Sequence, residues 1–228
     1  MELEVIARIE NDYTTKFGVP RQSGLVEEVV SRIVFEPKYR VAEAIRGLEG
    51  FSHLWLIWGF HEARQESWHP TVRPPRLGGN ERLGVFATRS PYRPNPLGLS
   101  SVRLKGIEKT DRGMTLLVAG ADLMNGTPIY DIKPYLPSAD CHPEAAGGFT
   151  QTREKRRVQV DVSEEAARDF SPAQLSALRA VLSEDPRPAY QEDPDRVYAF
   201  EFAGKNVRFR VKEGLLTLLP AKEAERTD

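Results

Sequence analysis

The residues best suited to chemistry lie in a stretch rich in proline and arginine. The segment GVFATRSPYRPNPLGLSSVRL spans 84–104 and places Arg89 and Arg93 among three prolines. Because proline fixes φ, this loop has few conformations and holds its arginines at a set separation. A guanidinium pairs bidentately with carboxylate or phosphate, so the segment indicates an anion-binding site. The alternative is a solvated turn whose arginines have no specific partner.

Positive charge is concentrated around this loop, although the whole chain is close to neutral. The 228 residues carry a formal net charge of −1. Residues 73–105 contain seven lysines and arginines and a single acid, Glu81. A local positive field suits a phosphate or carboxylate partner, whereas the net charge argues against a general nucleic-acid coat protein.

The elements that must position this loop are mainly strands. Alternating apolar residues predict strands at 2–10, around Ile33 and Phe35, and at 51–61, 83–88, 100–108 and 114–120. The spacing of Val41, Ala44, Ile45 and Leu48 predicts one short helix that ends at Gly50. With few crossover helices and no G-x-G-x-x-G after a strand, the pattern favours an antiparallel or mixed sheet curled into a barrel.

The strand predicted at 51–61 has two different faces. One face, which carries Leu54, Leu56, Trp58 and Phe60, is expected in the core. The other face mixes aromatic and polar residues from His53 to His61, as a site wall would. Alternation is equally compatible with a buried strand that has one hydrated end.

A second, smaller domain is predicted after the periodicity is lost at 139–155. Ser171, Pro172 and Gln174 form a helix-capping pattern, and a turn at 204–206 precedes an alternating strand. The fold class is therefore mainly β, with a barrel over 1–150 and a small α+β domain over 157–228.

Several classes of protein are disfavoured by composition. The chain has one cysteine, Cys141, and four histidines without zinc-motif spacing, so we expect no metal site. No apolar run approaches the roughly 20 residues that span a bilayer. The N-terminal MELEVIARIE lacks the pattern of a signal peptide. We expect a cytoplasmic protein without a membrane partner.

The proline–arginine segment resembles the signature of a known family. GVFATRSPYRPNPLGLSSV is similar to the signature of the TsaA-like family, also called TrmO. FSHLWLIWGFH, RPPRLGGN, ADLMNGTPIYDIKPYLP and DPRPAY resemble that family's other blocks in the same order, over about 20–220. The last block indicates the two-domain bacterial branch.

This resemblance implies a fold, a reaction and partners. Members of the family are homodimers built on a single-sheet β-barrel, and they bind S-adenosyl-L-methionine near the dimer interface. They methylate N6 of threonylcarbamoyl-adenosine at position 37 of tRNA, beside the anticodon. The chain is thus expected to be a tRNA adenine-N6 methyltransferase.

The resemblance also implies which residues bind the cofactor. An arginine suits its carboxylate, an acid such as Glu62 suits its ribose hydroxyls, and Gly126 allows close backbone approach. The implied contacts are Pro20, Arg21, Gln22, His61, Glu62, Arg89, Leu99, Asn125, Gly126, Thr127 and Pro128. The family pattern allows a carboxylate where this chain has Asn125, which keeps the hydrogen-bonding shape without the charge.

The methyl acceptor requires further groups. The N6 lone pair is delocalised, and an acceptor facing the N–H would localise it and then take the proton. Asp131 is the candidate acceptor, Lys133 a partner for phosphate or cofactor carboxylate, and Tyr135 a stacking surface for the base. These three residues are equally compatible with a purely structural role in the barrel.

Arginines are also available for the substrate's own carboxylate. Arg93, Arg73 and Arg76 are candidates for the threonylcarbamoyl group, and other basic residues for anticodon-loop phosphates. The same arginines are alternatively cofactor ligands.

Other functions remain compatible with the same residues. A non-catalytic RNA-binding or nucleotide-sensing module would need the basic loop but no cofactor site. A small-molecule methyltransferase would leave the basic segment without a role. For the C-terminal domain, tRNA docking and support of packing and dimerisation are both open.

Overall fold

The computed structural model describes residues 2–63, 68–74, 81–151, 157–187 and 193–220. Strands are the dominant element of the N-terminal part. They are β1 Ala7–Glu10, β2 Val30–Phe35, β3 His53–Gly59, β4 Thr71–Val72, β5 Leu83–Gly84, β6 Leu97–Thr110, β7 Gly113–Ala119 and β8 Pro128–Pro134. Six of them pair in the closed order β1-β2-β7-β6-β3-β8, and every pairing is antiparallel. The mainly β fold class is confirmed.

The interior of the barrel is filled by the apolar faces of these strands. On β3, Leu54, Leu56 and Trp58 are buried, as the alternation predicts. Phe60, just beyond the strand, packs against the same cluster but is only partly buried. Burial of this shared apolar surface stabilises the closed sheet.

Two local predictions are wrong. The helix expected from Val41 to Gly50 is instead a pair of short 3-10 helices, Ala42–Ile45 and Leu48–Gly50. Gly47 between them has a φ of 87°, which interrupts a right-handed helix. The strand expected at 83–88 ends at Gly84 and continues as a 3-10 helix over Val85–Ala87.

The C-terminal part is a four-stranded sheet with helices, as expected for an α+β unit. Its strands β9 Gln159–Val162, β10 Tyr198–Phe202, β11 Lys205–Lys212 and β12 Leu215–Leu219 lie in the order β10-β11-β12-β9. The helices are α1 Pro137–Asp140, between the two parts, and α2 Glu164–Ala167 and α3 Pro172–Ser183. Over the described ranges, no helix is both long and apolar enough to cross a membrane.

Two local predictions in this part are close to the structure. The capping box at Ser171 and Gln174 is confirmed. The hairpin turn lies at Ala203 and Gly204, one residue earlier than expected, and both residues have positive φ.

The segment between β1 and β2, residues 11–29, packs against the C-terminal sheet. Its residues Tyr13, Val26 and Val29 are buried in the same cluster as the apolar residues of α3 and β10–β12. Gly18, with a φ of 99°, lies so close to Phe200 that an added Cβ would be 2.5 Å from the ring. We call residues 11–29 the bridging segment, because it connects two barrel strands but its apolar residues belong to the second core.

We expect Gly98→Ala to destabilise the barrel. The added Cβ would lie 2.2 Å from the Trp58 ring, whose Nε1 donates to Ser100 Oγ at 2.9 Å and is therefore fixed. Overpacking of this kind costs about 1–3 kcal/mol. Gly84→Ala is the control, because a Cβ there meets nothing within 4 Å. In urea unfolding, Gly98→Ala should lose clearly more free energy of unfolding than Gly84→Ala. Equal losses for the two variants would contradict this packing.

Candidate cofactor-binding site at one end of the barrel

Three chain segments meet where β3 ends. Because β3 runs antiparallel to both β6 and β8, the residues after β3 lie beside those that precede the other two strands. Phe60 N donates to Pro96 O at 3.0 Å, and Thr127 Oγ1 lies 3.4 Å from His61 Nδ1. We call this end of the barrel the site end.

The predicted loop at 20–22 reaches the site end through a side-chain contact. Arg89 Nη1 donates to Gln22 Oε1 at 2.5 Å, which joins this loop to the proline–arginine segment. Further along, Gly24 N donates to Gly120 O at 2.8 Å. A Cβ on Gly120 would lie 3.2 Å from Gly24 Cα, so small residues allow this close approach.

The turn at 125–128 is held by backbone contacts to the chain near β1. Asn125 N donates to Tyr13 O, and Gly126 N donates to Ile9 O, both at 2.8 Å. Gly126 has a φ of 79°, and no atom lies within 4 Å of the position a Cβ would take. The Cα of Gly126 is therefore open to close approach by a ligand, whereas its N–H and C=O are bonded to Ile9 O and Arg8 Nη1.

Asn125 carries no charge, yet its side chain has a defined role. Its Oδ1 accepts a hydrogen bond from Asn11 N at 3.1 Å. A carboxylate oxygen would accept the same bond, so the amide preserves the turn without adding negative charge.

The outer wall beside the site end contains Leu99 and Asp131. Both are cross-strand neighbours of Ile57, one on β6 and one on β8, so their Cα atoms are about 10 Å apart. Leu99 is 56% exposed. Asp131 Oδ2 lies 3.1 Å from Lys133 Nζ, and Asp131 Oδ1 accepts the N–H of Ile132.

Tyr135 lies away from this row. It is four residues beyond Asp131 on an extended chain, roughly 13 Å along it. Its ring centroid is 5.5 Å from that of Trp55, whose Nε1 donates to Asp140 Oδ2 at 2.9 Å. The structure thus pairs Asp131 with Lys133 and places Tyr135 in a separate aromatic group.

The candidate substrate arginines occupy different positions. Arg93 Nη1 donates to Thr88 O at 3.1 Å and Ser90 O at 3.4 Å, so this side chain stiffens its own loop. Arg73 is exposed just after β4. Arg76 lies outside the described residues.

Sequence reasoning missed Asp122, which connects three parts of the site end. Ser100 Oγ donates to Asp122 Oδ1 at 2.5 Å and accepts from Trp58 Nε1 at 2.9 Å. Burial raises the pKa of Asp122, opposed by the Ser100 hydrogen bond, the charge of Arg89 and the N–H of Ser23. The sequence signal that could have identified Asp122 is its position between the apolar residues Ala121 and Leu123.

The groups at the site end match the chemistry of S-adenosyl-L-methionine. Arg89 offers a guanidinium for a carboxylate, and the Glu62 side chain, 60% exposed, offers a carboxylate for hydroxyls. Leu99 supplies apolar surface, and the missing side chain of Gly126 leaves space for close approach.

Comparison with known proteins agrees with this chemistry. The family model for the tRNA-methyltransferase O N-terminal domain matches residues 8–141, and that for the TrmO C-terminal domain matches 155–223. The chain belongs to the TrmO family.

Individual relatives extend over most of the chain. A tRNA (adenine(37)-N6)-methyltransferase of Escherichia coli K12 is 42% identical, covering 93% of this chain and 94% of its own length. One from Eikenella corrodens is 46% identical over 72% of this chain and 93% of its own length. The crystal structure of TrmO from Pseudomonas aeruginosa superposes with a TM-score of 0.78 at 31% identity, covering 96% and 95% of the two chains.

Asp122 should give this protein a distinctive pH dependence. Because burial raises its pKa above the ordinary 3.8, its contribution to stability is fully present in acid and is lost as pH rises through the raised value. Asp122→Asn removes this loss. The free energy of unfolding of the variant, relative to wild type, should therefore rise as pH increases from the ordinary pKa of 3.8 through the raised pKa of Asp122.

Asp140→Asn is the control with the opposite sign. Hydrogen bonds from Leu136 N and Trp55 Nε1 lower the pKa of Asp140, so its contribution is present near neutrality and lost in acid. This variant should be more destabilised near neutrality than in acid. Slopes of the same sign for the two variants would contradict the assigned environments.

Proposed function

We propose that this protein transfers a methyl group from S-adenosyl-L-methionine to N6 of adenosine 37 in tRNA. The observation that carries the proposal is a pair of contacts in a TrmO-family barrel, Arg89 with Gln22 and His61 with Thr127. The relatives from E. coli and E. corrodens bear the name of this activity. We further propose that it acts in the cytoplasm.

The cofactor contacts follow from the chemistry of each group. Arg89, held by Gln22, pairs with the cofactor carboxylate. Glu62, beside His61, accepts hydrogen bonds from the ribose hydroxyls. The backbone of residues 20–22 and 125–128 lines the adenine. When bound, the cofactor supplies a methyl group that is already activated on a sulfonium.

Asp131 is the proposed proton acceptor. Its carboxylate accepts the N6–H of the base, which localises the nitrogen lone pair, and then takes the proton. Lys133 orients this carboxylate through their 3.1 Å contact, and Leu99 lies in the same cross-strand row. Tyr135, grouped with Trp55, is proposed to contact RNA further from the reacting atoms.

The basic residues around the proline–arginine segment suit the RNA. We propose that Arg93, Arg73 and Arg76 recognise the carboxylate of a threonylcarbamoyl group on adenosine 37, and that anticodon-loop phosphates meet neighbouring cations. We also propose a homodimer. The exposed Leu97 and Leu99, on the same face of β6, form apolar surface that a second copy would cover.

Nucleoside mass analysis tests the reaction. Wild-type protein, incubated with S-adenosyl-L-methionine and tRNA containing threonylcarbamoyl-adenosine, should convert that nucleoside to a product heavier by one methyl group. Matched tRNA with unmodified adenosine should react much more slowly. Cofactor binding without any methyl transfer would favour the nucleotide-sensing alternative, and equal rates on both tRNAs would remove the proposed role of the arginines.

Asp131→Asn tests the acceptor. The amide cannot take the proton, so kcat should fall at least about 100-fold while the Kd for cofactor stays near that of wild type. Asp111→Asn, in the exposed turn between β6 and β7, is the matched control and should retain wild-type kcat. A near wild-type kcat for a folded Asp131→Asn variant would exclude this residue as the acceptor.

A further inference from the structure

The C-terminal turn at 185–187 is built around an ion pair with little exposure. Helix α3 ends at Ser183, and Asp185 follows with a φ of 48°, its N–H donating to Leu182 O at 3.1 Å. The Asp185 carboxylate accepts two hydrogen bonds from Arg187, both at 2.8 Å. The two side chains are 11% and 12% exposed. The bidentate geometry fixes the path of the backbone through the turn.

Two carbonyl groups of that backbone accept hydrogen bonds from the loop at 20–22, which we call the cofactor loop. Arg21 Nη2 donates to Arg187 O at 2.7 Å and to Asp185 O at 3.3 Å. A guanidinium carries several donors in a fixed planar arrangement, and two converging backbone carbonyls satisfy part of this donor set. A residue expected at the cofactor is thus tied to the second domain.

The contact continues from Arg21 to the site end through the next residue. Gln22 Nε2 donates to Arg21 O at 2.6 Å, and Gln22 Oε1 accepts from Arg89 Nη1 at 2.5 Å. Arg89 is the proposed partner of the cofactor carboxylate. Hydrogen bonds at the side chain and at the carbonyl of Arg21, joined by the covalent chain of that residue, therefore connect the C-terminal turn with that guanidinium.

The loop at 20–22 is also fixed on both sides. Before it, Gly18 packs against Phe200 of the C-terminal sheet. After it, Gly24 bonds to Gly120 at the end of β7. The loop thus spans from one domain to the other, and its position at the site end depends on both.

We propose that Asp185 and Arg187 are positioning residues for the cofactor loop, acting through Arg21. The inference rests on the proposed function and gives the C-terminal domain a part in holding the methyl donor. It differs from a docking role, in which the same turn would contact tRNA directly.

The test is a comparison of binding constants in the full chain. Arg187→Ala should raise the calorimetric Kd for S-adenosyl-L-methionine about tenfold, the effect of losing a charge-assisted network. The KM for tRNA at saturating cofactor should change by less than about twofold. Arg187→Lys, which keeps charge but not the fork, should recover part of the affinity. Arg210→Ala, an exposed arginine on β11, is the control and should bind cofactor as wild type does.

A double-mutant cycle separates positioning from general damage. If Arg187 acts through Arg21, the cofactor Kd of the Arg21→Ala/Arg187→Ala variant should equal that of the single variant that binds cofactor more weakly. If Arg187→Ala does not fold, Asp185→Asn takes its place in the cycle, because it weakens the ion pair while Arg187 and its carbonyl remain. The inference would be overturned if the fold increases in cofactor Kd of the two single variants multiplied in the double variant. It would also be overturned if Arg187→Ala raised the KM for tRNA and left the cofactor Kd unchanged. Failure of the wild-type protein to bind cofactor would instead overturn the proposed function.

Discussion

The antiparallel pairing of β3 with β6 and β8 is the constraint on which the site depends. Pairing on both edges of β3 places three distant segments at one end of the barrel: the residues after Gly59, those before Leu97 and those before Pro128. No single segment contains the site. A shift of one residue in either pairing would turn Leu99 or Asp131 inward and remove it from the outer wall.

The fourth segment, at 20–22, reaches the site end by a different route. It belongs to the bridging segment, whose apolar residues Tyr13 and Val29 are buried with those of the C-terminal sheet. Residues from the N-terminal part of the sequence therefore belong to the hydrophobic core of the C-terminal part. Removing the C-terminal residues would expose this apolar surface, so single substitutions report on the second domain more clearly than truncation does.

The sequence predicted correctly those elements that a local pattern of side chains determines. The alternation of Leu54, Leu56 and Trp58 gave the strand and its buried face, and Ser171 with Gln174 gave the start of α3. At 41–48 the helical spacing was present, but Gly47 in a left-handed conformation divided the segment. Short segments are decided by such backbone details and by tertiary packing more than by periodicity.

The site was predictable only in part, because tertiary contacts decide much of it. The resemblance gave a set of residues, and contacts between them, such as Arg89 with Gln22 and His61 with Thr127, are set by the sheet. Asp122 and the partners of Arg21 were not predicted, because their roles arise from contacts between residues far apart in the chain. Tyr135 alternates with Asp131 in the sequence, but it lies beyond the end of β8, where its ring is grouped with that of Trp55.

Hydrogen–deuterium exchange with and without S-adenosylhomocysteine, the demethylated cofactor, tests the central claim most directly. If the donor binds at the site end, added ligand should slow exchange in peptides that cover residues 18–24, 60–62, 86–93 and 123–128. Peptides from β11 and β12 should be unchanged. Protection confined to other parts of the barrel, or none at saturating ligand, would contradict the account.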